Sequence, residues 1–246
     1  MLELLGLPVQ ASQHASGLDQ LLTEVHWLMA VMFIGWATLF LLIVVRFRSG
    51  AHPKADYVGT RGWGARLAVG IVAAEAFLII FHAWPVWATR TPVAPSSGEA
   101  TVVRVVAEQF AWNVHYPGAD GRFGRTSIDL MGPSNPLGLD RTDPFAVDDV
   151  ATINQLVLPQ NRTVLIRLSS KDVIHSFWIP EMRVKHDVVP GLEATVWFTP
   201  TREGEYEIVC SQLCGLAHYR MRSAVSVRTV EQFEAFLAQE VRSQTR

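Results

Sequence analysis

Two long apolar runs followed by many short ones divide the chain into unlike parts. Residues 27–45 carry no charge, and as a helix they are long enough to cross a hydrocarbon core of roughly 30 Å. A second run, 67–87, is interrupted only by Glu75 and His82 and closes on Pro85 and Trp87, where an aromatic suits a membrane interface. After the Pro- and Ser-rich stretch Thr91-Pro-Val-Ala-Pro95-Ser-Ser-Gly98 the period shortens, which marks a domain boundary. Residues 101–107, 110–116, 156–158, 163–168, 173–179, 192–198, 206–209 and 224–227 read as strands, and many short strands with turn signals imply a sandwich or barrel. Thr229-Val-Glu-Gln232 resembles a capping box opening a helix through about residue 241. Between Pro117 and Val150 the Gly, Pro and Asp content is high and periodicity weak, as in a long functional or mobile loop.

Charge gives the hairpin a direction. The segment between the apolar runs holds Arg46, Arg48, Lys54, Arg61 and Arg66 against Asp56, so the positive-inside rule places it in the cytoplasm and both flanking segments outside. Residues 1–25 have no basic start of the signal-peptide kind. The expected division is an outer N-terminal segment at 1–25, a transmembrane hairpin at 26–90, a linker at 91–98 and an outer domain at 99–246. The net charge of −2, with no basic patch among aromatics, gives no support to nucleic-acid binding.

The chemistry is concentrated near the C-terminus, in Cys210-Ser-Gln-Leu-Cys214-Gly-Leu-Ala-His218-Tyr-Arg-Met221. Thiolate, imidazole and thioether together suit copper better than magnesium, calcium or most zinc sites. With His175 upstream the donors suffice for two ions. An oxidising compartment leaves a plain disulfide between Cys210 and Cys214 as the alternative, and zinc remains open.

The pattern Cys210-x3-Cys214-x3-His218-x2-Met221 with His175 is similar to the binuclear CuA centre of cytochrome c oxidase subunit II. Val157-Leu-Pro159, Ser169-Ser-Lys-Asp172-Val-Ile-His175-Ser-Phe-Trp178-Ile-Pro180 and Lys185-His-Asp187-Val-Val-Pro190-Gly191 follow that family's order. The resemblance covers nearly the whole chain. It implies a two-helix transmembrane hairpin followed by an all-β cupredoxin-like Greek-key domain, in a bacterial cytoplasmic membrane with the β-domain on the periplasmic face. It also implies two copper ions bridged by Cys210 and Cys214, with His175 and Met221 completing one and His218 and the backbone carbonyl of Gln212 completing the other. Electrons would come from a cytochrome c or an attached donor complex and leave for haem in subunit I, with subunit III also a partner, for O2 reduction coupled to proton pumping.

Some positions depart from the family. Gln212 stands where most members have a glutamate that also helps bind magnesium, and an amide is a weaker partner for that hard cation, so magnesium is not assigned. In Glu108-Gln-Phe110-Ala-Trp112, Phe110 occupies the position of the tryptophan that receives the donor's electron, with Trp112 two residues on. Glu75, deep in the second span, is a candidate for proton uptake, since an ionisable side chain there usually marks a pathway or partner. Asp129, Asp140, Asp143, Asp148 and Asp149 could attract a basic cytochrome c. No Cys-x-x-Cys-His occurs, so the chain carries no c-type haem. A quinol oxidase subunit II would lack the copper ligands. A copper carrier or thiol-disulfide factor would need an exchangeable metal or a thioredoxin-like pattern, and a nitrous oxide reductase a far longer chain.

Overall fold

The computed structural model describes residues 6–50, 62–88 and 98–244. The linker at 91–98 therefore lies, except for Gly98, outside the described residues, as do Lys54, Asp56 and Arg61 of the basic segment.

The first apolar run lies within α1 (Ala15–Arg46), a 32-residue helix that begins well before Trp27. Its early turns, Ser16 to His26, are good helix formers but too polar to count toward a span. The second run lies in Trp63–Ala88, made of α2 (Trp63–Leu78), a π turn at Ile79–Ala83 and α3 (Trp84–Ala88). The wide turn has a cause in Pro85. A proline has no N–H to give and its ring crowds the carbonyl four residues back, and Trp84 N–H reaches back five residues to Ile79 O. No residue in the apolar window of either helix is buried. A soluble protein rarely exposes that much contiguous apolar surface, whereas lipid accepts it. Glu24 of α1 and His82 of the π turn meet at 2.6 Å within this helical unit.

Among the described residues, ten strands build the second unit: β1 (Thr101–Glu108), β2 (Ala111–Tyr116), β3 (Val150–Ile153), β4 (Gln155–Pro159), β5 (Val164–Ser170), β6 (His175–Ile179), β7 (Val184–Val188), β8 (Ala194–Phe198), β9 (Gly204–Cys210) and β10 (Arg222–Arg228). They form two five-stranded sheets, β3-β2-β1-β5-β8 and β4-β10-β9-β6-β7. The β1–β5 and β4–β10 pairs are parallel and the other ladders antiparallel. Alternation along β1 turns Val103, Val105 and Ala107 inward, and β10 does the same with Val225 and Val227. These residues, with Trp112, Phe177 and Ile208, share one core between the sheets. α4 (Val230–Gln244) closes it with Phe233. Its start is the expected reciprocal cap, with Gln232 N–H donating to Thr229 Oγ1 and Thr229 N–H to Gln232 Oε1.

The sandwich was expected, but β3 and β7 were not. Both are sheet edges, and the middle of β7, Lys185-His186-Asp187, is exposed. Charged side chains on an edge guard against pairing with another chain, and they erase the alternation by which a strand is recognised. A further surprise is the segment Gly6–Ser16, which packs with the sandwich. Ala11 N–H donates to Glu181 O, Thr201 N–H to Ala11 O, Gln13 N–H to Thr199 O, and the buried Ser12 hydroxyl to Met182 O. The strap's His14 meets Trp197 edge-on at 4.5 Å.

The excursion from 117 to 149 is held by its own acids. Asp140 pairs with Arg125, Asp143 accepts from the backbone N–H groups of Arg125 and Phe145, and Asp148 accepts from those of Ala119 and Asp120. Asp149 is buried against His115 at 2.6 Å and also accepts from Gly124 N–H. Four of the five acids proposed as a docking patch thus bind within the excursion and its neighbours. Hydrogen bonds from Thr142 and Arg125 hold the Asp140 carboxyl down at about 2.

Candidate metal centre

Three segments converge on one end of the sandwich. His175 opens β6, Cys210 ends β9, and the loop that follows returns through a short 3-10 turn, His218–Arg220, to Met221 just before β10. The ladder between β6 and β9 sets Phe177 opposite Cys210. Cys210 N–H donates to Met221 O, closing the base of the loop, and Ser211 N–H donates to Ser176 O. Gly215, with φ +138°, is where the chain turns close beneath its neighbours. A Cβ there would stand 2.7 Å from Gln109 Nε2 and 3.0 Å from Phe110 Cζ.

The donor atoms form a continuous chain. Cys210 Sγ lies 3.9 Å from His175 Nδ1, 3.7 Å from Cys214 Sγ and 3.2 Å from the Gln212 carbonyl oxygen. Cys214 Sγ lies 3.6 Å from both His218 Nδ1 and Met221 Sδ. Both cysteines are free and buried, as are His175 and Met221, while His218 is half-buried. The ligand atoms of His175, Cys210 and Cys214 all fall within 4.8 Å of one another. All six residues proposed from sequence are therefore brought together, with Gln212 contributing its backbone and leaving its side chain exposed.

Burial raises the Cys210 thiol, but hydrogen bonds from His175 and from the backbone around Ser176 outweigh it and bring it down to about 6. Burial and the neighbouring Cys210 sulfur together push Cys214 up to about 12. One negative charge is thus favoured in this pocket and a second is resisted. Around it, Asp172 Oδ1 accepts from His175 Nε2 at 2.9 Å, leaving Nδ1 to face the sulfurs. A carboxylate on the far nitrogen of a metal-binding imidazole fixes its tautomer and orientation. Burial alone would raise Asp172, yet the hydrogen bonds from His175 and from Gln109 and Val173 N–H hold it below the usual carboxylate range. Neither Asp172 nor Gln109 was singled out from the sequence, although Asp172 stands three residues before His175.

Trp112 is fully buried, 6.2 Å from the His175 ring and 5.8 Å from Phe177. Phe110 is half-buried against the loop at Gly215. Leu213, Leu216 and Tyr219 project from the loop almost fully exposed, at 78, 99 and 81%.

Residues 101–228 match the family described as "Cytochrome C oxidase subunit II, periplasmic domain". Across nearly the whole chain, an "Alternative cytochrome c oxidase subunit 2" of Bradyrhizobium diazoefficiens is 32% identical over 237 residues, 91% of this chain and 80% of that one. The chain belongs to the cytochrome c oxidase subunit II family. The "Cytochrome c oxidase subunit 2" of Cereibacter sphaeroides is 29% identical over 241 residues, 88% of this chain and 76% of that one. That of Thermostichus vulcanus is 30% identical over 256 residues, covering 95% and 78%. Membership makes this a subunit of a haem-copper oxidase, an oxidoreductase component with its β-domain on the outer face of a membrane. The metal the family implies is copper, and the donor set fits it: two soft sulfurs, imidazoles and a thioether in a largely buried cluster.

Proposed function

We propose that this subunit II is the electron-accepting subunit of a proton-translocating oxidase and that its Cys210–Met221 loop holds a binuclear CuA centre. The observation that carries this reading is the pair of free, buried thiols 3.7 Å apart, with an imidazole beside each. Two copper ions there would supply a one-electron carrier. Cys210 and Cys214 would hold both, His175 and Met221 would serve one ion, and His218 with the Gln212 carbonyl would serve the other. The β6–β9 ladder holds His175 and Cys210 in place as the charge changes, and the buried wall of Trp112 and Phe177 excludes water. Gln212 offers an exposed amide rather than a carboxylate, which gives no reason to add magnesium.

Electrons come from a cytochrome c or an attached donor complex and pass to haem in subunit I, with subunit III alongside. Phe110 is the residue placed for donor contact at the surface, and Trp112 lines the path behind it. Elemental analysis and EPR of the purified full chain test the centre. Two coppers with a mixed-valence signal are expected, whereas one copper, zinc or a disulfide would overturn it. Met221→Leu removes only a weak thioether ligand, so it should retain copper while changing the reduction potential, read by spectroelectrochemical titration.

The chain is read as crossing a bacterial cytoplasmic membrane twice, with N-terminus and β-domain both outside. The docked strap Gly6–Ser16 supports this, because a segment hydrogen-bonded to the sandwich shares its side of the membrane. An even number of crossings must then separate them. Glu75 is exposed on α2, available to subunit I as a proton-uptake group. In the assembled oxidase Glu75→Gln is expected to lower turnover and pumping by an order of magnitude or more, because general proton transfer by a positioned group contributes about 10²–10⁴-fold. Unchanged rates in an oxygen electrode would remove Glu75 from the pathway.

A further inference from the structure

The two halves of the metal loop are not held equally. Cys210 belongs to β9, and His175, beside it, to β6. Cys214 lies outside every ladder, in the outer bend of the loop. The bond that ties its carbonyl to the rest of the domain comes from Gln109, whose Nε2 donates to Cys214 O at 2.6 Å. Gln109 stands in the turn between β1 and β2, on the opposite sheet. The same residue's backbone N–H donates to Asp172 Oδ2 at 2.7 Å, and the other oxygen of Asp172 accepts from His175. Gln109 thus has one hand on the Cys214 half of the site and the other, through Asp172, on the His175 half. Phe110, its neighbour, rests on the same bend of the loop at Gly215.

Resting on the CuA reading, we infer that Gln109 is a positioning residue that clamps the Cys214 half of the copper loop and couples it to the donor-facing turn. Its side-chain amide is the right group for the task. It is neutral, so it adds no charge beside the centre, and it donates to a carbonyl that would otherwise be free to rotate with the loop. A group on the opposite sheet also makes the centre's geometry depend on how the two sheets pack, which stiffens it. A rigid ligand frame keeps the oxidised and reduced geometries alike, as a supporting shell does for any preorganised site.

The test uses the assembled oxidase carrying Gln109→Leu, which removes the donor, and Gln109→Glu, which keeps the size but sets an acceptor against the carbonyl. Both are expected to retain two coppers. Both should show altered copper hyperfine structure in EPR, a displaced reduction potential, and copper loss to a chelator accelerated about fivefold, the equivalent of one hydrogen bond worth about 1 kcal/mol. An unaltered spectrum, potential and loss rate in both variants would overturn the inference. So would a change confined to the KM for the donor, since Gln109 would then be a docking residue only. If one variant fails to assemble, the other carries the same readouts. A wild-type enzyme without the mixed-valence signal would instead refute the CuA reading, so the two failures are distinct.

Discussion

Replacing Cys210 or Cys214 by serine is expected to reduce the copper content from two ions to at most one and to abolish the mixed-valence EPR signal. A serine hydroxyl does not ionise near neutral pH and cannot bridge two soft cations. Each replacement leaves one sulfur with one imidazole beside it, Cys214 with His218 or Cys210 with His175. That is a set for a single ion. The sandwich should survive either change, because most of its core cluster lies between the sheets and a serine alters only one of the loop residues that join it. Circular dichroism of the full chain in detergent checks the fold, and elemental analysis with EPR checks the site. Oxygen consumption by the assembled oxidase should fall to background in both variants. A serine variant that kept two coppers and the mixed-valence signal would show that the bridging sulfurs had been misassigned.

Tyr116→Phe is expected to produce a clear loss of stability at a site remote from the metal loop. Tyr116 ends β2 in the core, where its hydroxyl donates to Val157 O and accepts from Val157 N–H at 2.7 Å. Its ring touches Phe233 and Phe236 of α4, each 6.1 Å away between centroids. One side chain therefore joins both sheets and the closing helix. Removing the hydroxyl leaves the Val157 N–H buried without that partner, a cost of about 1–3 kcal/mol.

The same phenol gives a pH signature. Burial raises its pKa well above the usual 10.0, the hydrogen bond from the Val157 backbone opposing the shift only in part. A group whose folded pKa is raised contributes stability that is fully present below its unfolded pKa and is lost as pH rises through the folded one. Wild-type stability should then decline above about pH 10, and the decline should shrink in Tyr116→Phe even though that variant is weaker at pH 8. Thermal unfolding from about pH 8 to well above pH 10 measures both effects. Parallel pH curves for the two proteins would mean that other groups govern alkaline unfolding.

The hairpin, the strand series and the metal loop could be read directly because each has a period or a spacing that local physics enforces. An apolar run of membrane length, inward alternation along β1 and β10, and a Cys-x3-Cys-x3-His-x2-Met loop leave strong traces. What escaped depends on partners distant in sequence. β7 pairs with β6 through its backbone while its middle side chains face solvent, so its buried ends, Val184 and Val188, show no alternation between them. Asp172 and Gln109 are ordinary polar residues until the fold brings the β1–β2 turn against the metal loop. The acids of the excursion looked like a surface field from composition. In the structure most of them cap turns or pair with Arg125 and His115.

The strap Gly6–Ser16 makes the sandwich a discontinuous folding unit, interrupted by the whole helical hairpin. Ser12 and its acceptor on Met182 are 170 residues apart, so the first piece of the domain to leave the ribosome is among the last to find its place. The strap must wait through the synthesis of both apolar helices and most of the strands before its docking groove exists. Contacts of such long range slow folding, because the loop they close must be ordered before they form. Until the strap docks, Glu181 O, Thr199 O and Thr201 N–H are without the partners it brings them.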